Sequence, residues 1–83
     1  MEYVLRLGEG VVVGRGWLSR RQIFYAGAVS NEVFSLAAEW SQSHNSASYN
    51  VYFGKSQREF AVMDGRVTVS SVSRDEIRFR FER

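Results

Sequence analysis

Arginine and aromatic side chains alternate closely in the first third of the chain and recur in its later strands. An arginine fork hydrogen-bonds phosphate oxygens and an exposed aromatic ring stacks on a nucleobase, so a sheet that presents both can hold single-stranded RNA or DNA. This chemistry defines a candidate nucleic-acid surface of Arg15, Trp17, Arg20, Arg21, Tyr25, Tyr52, Arg78 and Arg80.

A purely structural role explains the same residues. Arg78 and Arg80 share one face of the predicted last strand with Glu76 and Glu82, so these charges could form a solvated ladder. A large apolar side chain such as Trp17 usually belongs to the core. The net charge is only +2, from eleven basic and nine acidic residues, and does not by itself indicate a nucleic-acid partner. Nucleic-acid binding is therefore the alternative hypothesis, not the leading one.

A run of small polar residues at positions 41–48 contains the single histidine of the chain, His44. General-base catalysis would need a nucleophile and an orienting acid within reach of this imidazole, and no spacing in the sequence indicates such a triad. A solvated segment of this kind is easily reordered on contact with another molecule. We take Ser43, His44 and Asn45 as a candidate partner-binding loop, with a plain connector as the other interpretation.

Other catalytic and cofactor signals are weak. The spacing of Gly8, Gly10 and Gly14 is close to that of a dinucleotide loop, but three valines between the glycines predict a strand, not a helix start. The chain has no cysteine, which excludes disulfides and thiolate ligands, and its acidic residues lack metal-ligand spacing. We therefore predict no metal, no cofactor and no enzyme activity. A small hydrolase or isomerase built on carboxylates brought together in space is the least favoured hypothesis.

Strands are predicted for most of the chain. Residues 2–7 and 11–13 would form a hairpin with Leu7 opposite Val11. The Asp64-Gly65 pair predicts a second hairpin, with Val62 opposite Val67. Residues 76–82 alternate apolar and charged side chains, which is typical of a strand with one buried face.

The segment 31–42 is ambiguous. Its apolar residues fill one arc of a helix behind a Ser30 N-cap, and the run Leu-Ala-Ala-Glu has helical propensity. Phe34, Leu36, Ala38 and Trp40 alternate equally well as a strand. With the helix, residues 1–83 form a single α+β domain, an antiparallel sheet of six or seven strands with one short helix packed on it. With the strand, the fold is an all-β meander or small barrel.

The sheet edges support the leading functional hypothesis. Edge strands expose unpaired backbone groups, and proteins usually protect them with Pro or Lys, whereas this chain has no Pro and one Lys. We predict a non-enzymatic interaction module that binds another protein or forms a homodimer through a sheet edge or face. Because no apolar stretch is long enough to cross a membrane and no secretory signal is evident, we expect a cytoplasmic protein.

Overall fold

A computed structural model describes residues 2–16, 19–43, 45–63 and 65–82. These residues form eight strands: β1 (Glu2–Arg6), β2 (Gly10–Gly16), β3 (Ser19–Ala28), β4 (Val33–Gln42), β5 (Asn45–Gly54), β6 (Glu59–Val62), β7 (Gly65–Val72) and β8 (Glu76–Glu82). No helix in these parts of the chain is long and apolar enough to cross a membrane.

The strands divide between two antiparallel sheets. Sheet I has the order β1-β8-β7-β6, and sheet II is a meander with the order β2-β3-β4-β5. Every second side chain of a strand points to the same face, so each sheet turns one apolar face towards the other. The buried apolar residues form one core cluster: Leu5, Ile23, Tyr25, Phe34, Leu36, Ala38, Phe53, Val62, Val67, Val69, Ile77, Phe79 and Phe81.

The predicted helix at 31–42 is wrong, because residues 33–42 of this segment form strand β4. Along its whole length β4 pairs with β3 on one side and with β5 on the other. Phe34, Leu36 and Ala38 are buried on the face that meets sheet I. Helical propensity amounts to a few tenths of a kcal/mol per residue. A helix here would leave a ladder of nine residue pairs with β3 and one of ten pairs with β5 unmade, which outweighs that preference.

The predicted α+β fold with one sheet of six or seven strands is therefore also wrong. The described residues are all-β, in two four-stranded sheets. The first predicted hairpin, between residues 2–7 and 11–13, is also wrong, because β1 and β2 belong to different sheets. Strand β1 pairs with β8 instead, with Leu5 opposite Ile77. The turn after β1 instead carries the chain between the sheets. It is held by the Gly8 N–H, which donates to the Tyr25 carbonyl at 2.9 Å.

The second predicted hairpin exists as β6–β7, but its register differs by two residues. Val62 lies opposite Gly65 and not opposite Val67. The turn falls at residues 63–64, where Met63 has a φ of 56° and Asp64 lies outside the described residues. A shift of two leaves the buried face unchanged.

Gly65 is needed in β7 for a different reason from the predicted turn. A Cβ at this position would lie 2.7 Å from the Glu82 carbonyl oxygen and would overlap the Phe81 ring. The glycine therefore allows β8 to approach closely.

Candidate functional site

Strand β5 is the edge of sheet II, and its outward backbone groups are unpaired. It pairs with β4 in one unbroken register from Asn45 to Gly54. The Lys55 N–H donates to the Glu32 carbonyl at 2.8 Å, so the hydrogen-bonded pairs fall on odd-numbered residues of β5. The even-numbered residues direct their N–H and C=O groups away from β4. No described residue pairs with these groups of Ser46, Ser48, Asn50 and Tyr52.

The other three sheet edges are protected. In sheet I, β1 has five residues and begins and ends with a charge, and β6 has only four residues. In sheet II, β2 carries Arg15 and a bulge between Val12 and Gly14. Short length, charge and bulges all discourage pairing with another chain. Strand β5 has ten residues and none of these three features.

A groove lies beside β5 because sheet II is longer than sheet I. Strands β3, β4 and β5 have ten residues each, whereas those of sheet I have four to eight. The inner face of sheet II is therefore uncovered at one end. There a groove of about 300 Å³ is lined by Arg21, Trp40, Ala47, Tyr49 and Met63.

Tyr49 joins the groove to the edge. It lies in β5 with 48% of its surface exposed, although its side chain is on the inner face, opposite Ala38. Its hydroxyl accepts a hydrogen bond from the Met63 N–H at 2.7 Å. This bond connects β5 to the β6–β7 turn across the seam between the sheets. A strand added to β5 would therefore lie next to an apolar depression.

On the outer face of sheet II, two arginines meet. Arg15 lies directly opposite Arg20, and Arg20 lies opposite Ser41. A cavity of about 380 Å³ at this place is lined by Arg15, Gly16, Ser19, Arg20, Ser41 and Ser43. Both arginines are exposed, and neither forms a hydrogen bond or ion pair with a described residue.

The candidate nucleic-acid residues are separated from one another in sheet II. Arg21 lies on the inner face at the groove, in register with Trp40. Tyr25 is fully buried, and its hydroxyl donates to the Ser73 carbonyl. Tyr52 is 58% exposed on the outer face, but it pairs with Ser35, six residues along β4 from Ser41, or roughly 20 Å from the arginine pair. Trp17 lies outside the described residues.

The two late arginines belong to the other side of the molecule. Arg78 and Arg80 lie on the outer face of sheet I, where Arg80 is opposite Glu2 and 3.3 Å from the Glu82 carboxylate. Arg66 and Glu59 form a second ion pair on this sheet, at 2.8 Å. Of the seven predicted residues that the structure describes, only Arg15 and Arg20 lie opposite each other on paired strands. The others do not join them in one surface among the described residues.

The candidate partner loop is the turn between β4 and β5. Ser43 has a φ of 53°, and Asn45 begins β5. His44 lies outside the described residues. The turn stands at the end of sheet II that carries the groove, and Ser43 also lines the arginine cavity.

Ionisable groups do not assemble into a metal site in the described parts of the chain. No three His, Asp or Glu side chains there lie close enough to hold a metal ion. The pKa of Tyr25 is raised, first by burial and then by the nearby Asp75 carboxylate. This side chain is fully buried and its hydroxyl donates to the Ser73 carbonyl, so we assign it a structural role.

The sequence pattern gave no indication of Trp40 or Met63 as groove residues. A side chain on the inner face of sheet II is buried only where sheet I lies opposite it. The length of sheet I cannot be predicted from the residues around Trp40. The absence of charge between Asn45 and Gly54 was visible, and it is the signal that could have marked β5 as the open edge. Compared with known proteins, the chain matches no family model, no curated protein and no solved structure.

Proposed function

We propose that this protein is a non-enzymatic interaction module that pairs through the β5 edge, and that its partner strand is β5 of a second copy. The observation that carries the proposal is the long, uncharged, regular edge of Asn45–Gly54, the only edge among the described residues without protection. Strand addition of this kind takes its affinity from main-chain hydrogen bonds and its specificity from neighbouring side-chain depressions.

The composition of β5 favours a second copy over an unrelated chain. A two-fold axis brings a segment against itself, so any charged residue near the axis would meet its own like charge. The absence of charge from Asn45 to Gly54 removes this penalty. An axis at Tyr49 would place Ser48 opposite Asn50 of the second copy and would join the outward backbone groups in up to about eight hydrogen bonds. The product is one continuous eight-stranded sheet.

The test is the oligomeric state of a variant with a charged edge. Ser48→Lys places a cation on the outer face at the centre of β5, where an axis at Tyr49 would bring it diagonally next to the same cation of the second copy. We expect the unchanged protein to be a dimer at micromolar concentrations by sedimentation equilibrium, and the variant to be a monomer. Ser56→Lys is the matched control, because Ser56 is exposed in the turn beyond β5. It should leave the dimer intact.

Two results would contradict the proposal. A wild-type protein that remains monomeric at several hundred micromolar would exclude self-pairing. A dimer that survives Ser48→Lys would place the interface elsewhere. If a monomer instead binds an uncharged extended peptide, and Ser48→Lys abolishes that binding, the occupant of β5 is a different protein.

A further inference from the structure

A bulge in β2 determines which side chains meet on the outer face of sheet II. Before the bulge Val12 lies opposite Gln22, and after it Gly14 lies opposite Arg21, so Val13 is the additional residue. Without this insertion Arg15 would lie opposite Ser19. The bulge shifts the register by one and brings Arg15 opposite Arg20 on the same face.

The pairing of Arg15 with Arg20 is by itself unfavourable. Two like charges directly opposite each other in a sheet destabilise it. Among the described residues, neither guanidinium has an acidic partner within ion-pair distance. The pair therefore presents two donor forks and a local charge of +2 to whatever enters the cavity beside it.

The remaining lining residues suit a tetrahedral oxyanion. Ser41 lies opposite Arg20 on the same face, and Ser41 and Ser43 contribute hydroxyl groups, which donate to phosphate oxygens. Gly16 allows the Ser19 side chain to approach its backbone closely, since a Cβ there would lie 2.6 Å from the Ser19 hydroxyl oxygen. Arginine forks bind phosphate and sulfate oxygens with charge-assisted hydrogen bonds.

We propose that Arg15 and Arg20, with the hydroxyl groups around them, form a binding site for a small ligand that carries one phosphate-monoester or sulfate group. A phosphate monoester carries a charge of about −1.5 to −2 at neutral pH, which balances the two arginines.

The surroundings favour a single anionic group over a nucleic-acid strand. Glu39 lies on the same outer face one row further along the sheet, opposite Gln22, and would repel a polyanion that followed the strands. The nearest described exposed ring on this face is Tyr52, roughly 20 Å away. A continuous basic track with stacking platforms, which single-stranded nucleic acid requires, is not formed by the described residues.

The experiment is a titration with phenyl phosphate, followed by amide NMR shifts at constant ionic strength. We expect saturable shifts around residues 15, 20 and 41, and at least about tenfold weaker binding in Arg15→Gln/Arg20→Gln. Arg78→Gln is the matched control, because Arg78 is an exposed strand arginine on the opposite outer face. It should bind phenyl phosphate like the unchanged protein. Equal affinity in all three proteins would overturn the proposal.

A second arm separates the monoester from nucleic acid. Oligonucleotides of increasing length, with and without a 5′-phosphate, are titrated into the same proteins. Affinity that depends on the terminal phosphate and not on length supports the proposal. Affinity that rises with length irrespective of the terminal phosphate would overturn it in favour of nucleic-acid binding. Ser48→Lys should keep phenyl phosphate binding, so this test is independent of the β5 edge.

Discussion

Tyr25 was predicted to lie on a nucleic-acid surface, but the structure places it in the core. Its ring is buried between the sheets, and its hydroxyl donates to the Ser73 carbonyl in the turn before β8. The bond joins sheet II to a turn of sheet I. A stacking role for this ring in nucleic-acid binding is incompatible with its burial.

The raised pKa of Tyr25 leads to a prediction about alkaline stability. The unfolded chain has the ordinary tyrosine pKa near 10, and burial raises the folded value above it. The unfolded state therefore loses its proton first, so the stabilisation is complete below pH 10 and is lost as the pH rises through the folded pKa. Urea denaturation between pH 7 and 11 should show this decline. Tyr25→Phe should remove the contribution of Tyr25 to this alkaline decline. It should also lower the free energy of unfolding at pH 7 by about 1 kcal/mol, because the hydrogen bond to Ser73 is lost.

Tyr52→Phe is the control for this prediction. Tyr52 is exposed, so its substitution leaves the interior unchanged and should preserve the alkaline decline. An identical decline in Tyr25→Phe and the unchanged protein would show that Tyr25 does not cause it.

At the scale of elements, the β6–β7 hairpin depends on a close approach between strands. We expect Gly65→Ala to lower the free energy of unfolding by about 1–3 kcal/mol, because the added methyl group would overlap Phe81 and the Glu82 carbonyl. Gly54→Ala is the comparison, since the nearest atom to a Cβ there is the Glu32 carbonyl oxygen at 3.9 Å. Chemical denaturation of both variants measures the difference. Similar losses would refute the steric explanation.

The same hairpin shows how far local patterns reach. The pattern of Asp64-Gly65 predicted a turn in this region, and the alternation of apolar residues assigned the buried face correctly. It could not assign the register, because the demand on Gly65 comes from β8, eleven or more residues further along. Strand β4 shows the same limit more clearly, because its apolar residues fit the period of a helix and the period of a strand equally well.

At the scale of the whole molecule, the unequal sheets create the candidate surfaces. The Cα atoms extend 38 × 21 × 18 Å, and ten-residue strands of roughly 33 Å account for the long axis. Sheet II projects beyond sheet I, which exposes the groove and leaves β5 accessible. A domain of 83 residues buries a smaller fraction of its unfolded surface than a larger domain does, so pairing through β5 would add substantially to its stability.

This coupling predicts that stability depends on protein concentration. If folding and pairing are linked, each tenfold increase in concentration should raise the unfolding free energy by about 1.4 kcal/mol per mole of dimer. Thermal denaturation at 5, 50 and about 500 µM should show a rising midpoint for the unchanged protein. Ser48→Lys should show a constant midpoint, whereas Ser56→Lys should follow the unchanged protein. A constant midpoint in all three would contradict the linkage.

The sequence alone determined the features that depend on neighbouring residues. Strand β8 follows from the alternation of Ile77, Phe79 and Phe81, which are buried as the period of two requires. The absence of Pro and the near-absence of Lys pointed to a poorly protected edge before any edge was known. These inferences hold because a strand's periodicity and an edge's protection are both recorded in local composition.

Only the tertiary structure decided which strands are neighbours, and with them the candidate sites. Strand β4 is a strand because β3 and β5 pair with it along its full length, a long-range gain that exceeds local helical preference. Arg15 meets Arg20 because of one additional residue in β2, and Arg21 and Tyr25 leave that surface because alternate side chains of β3 face the core. Pairing and register are set by the energy of the whole assembly of strands, and a linear pattern does not contain that information.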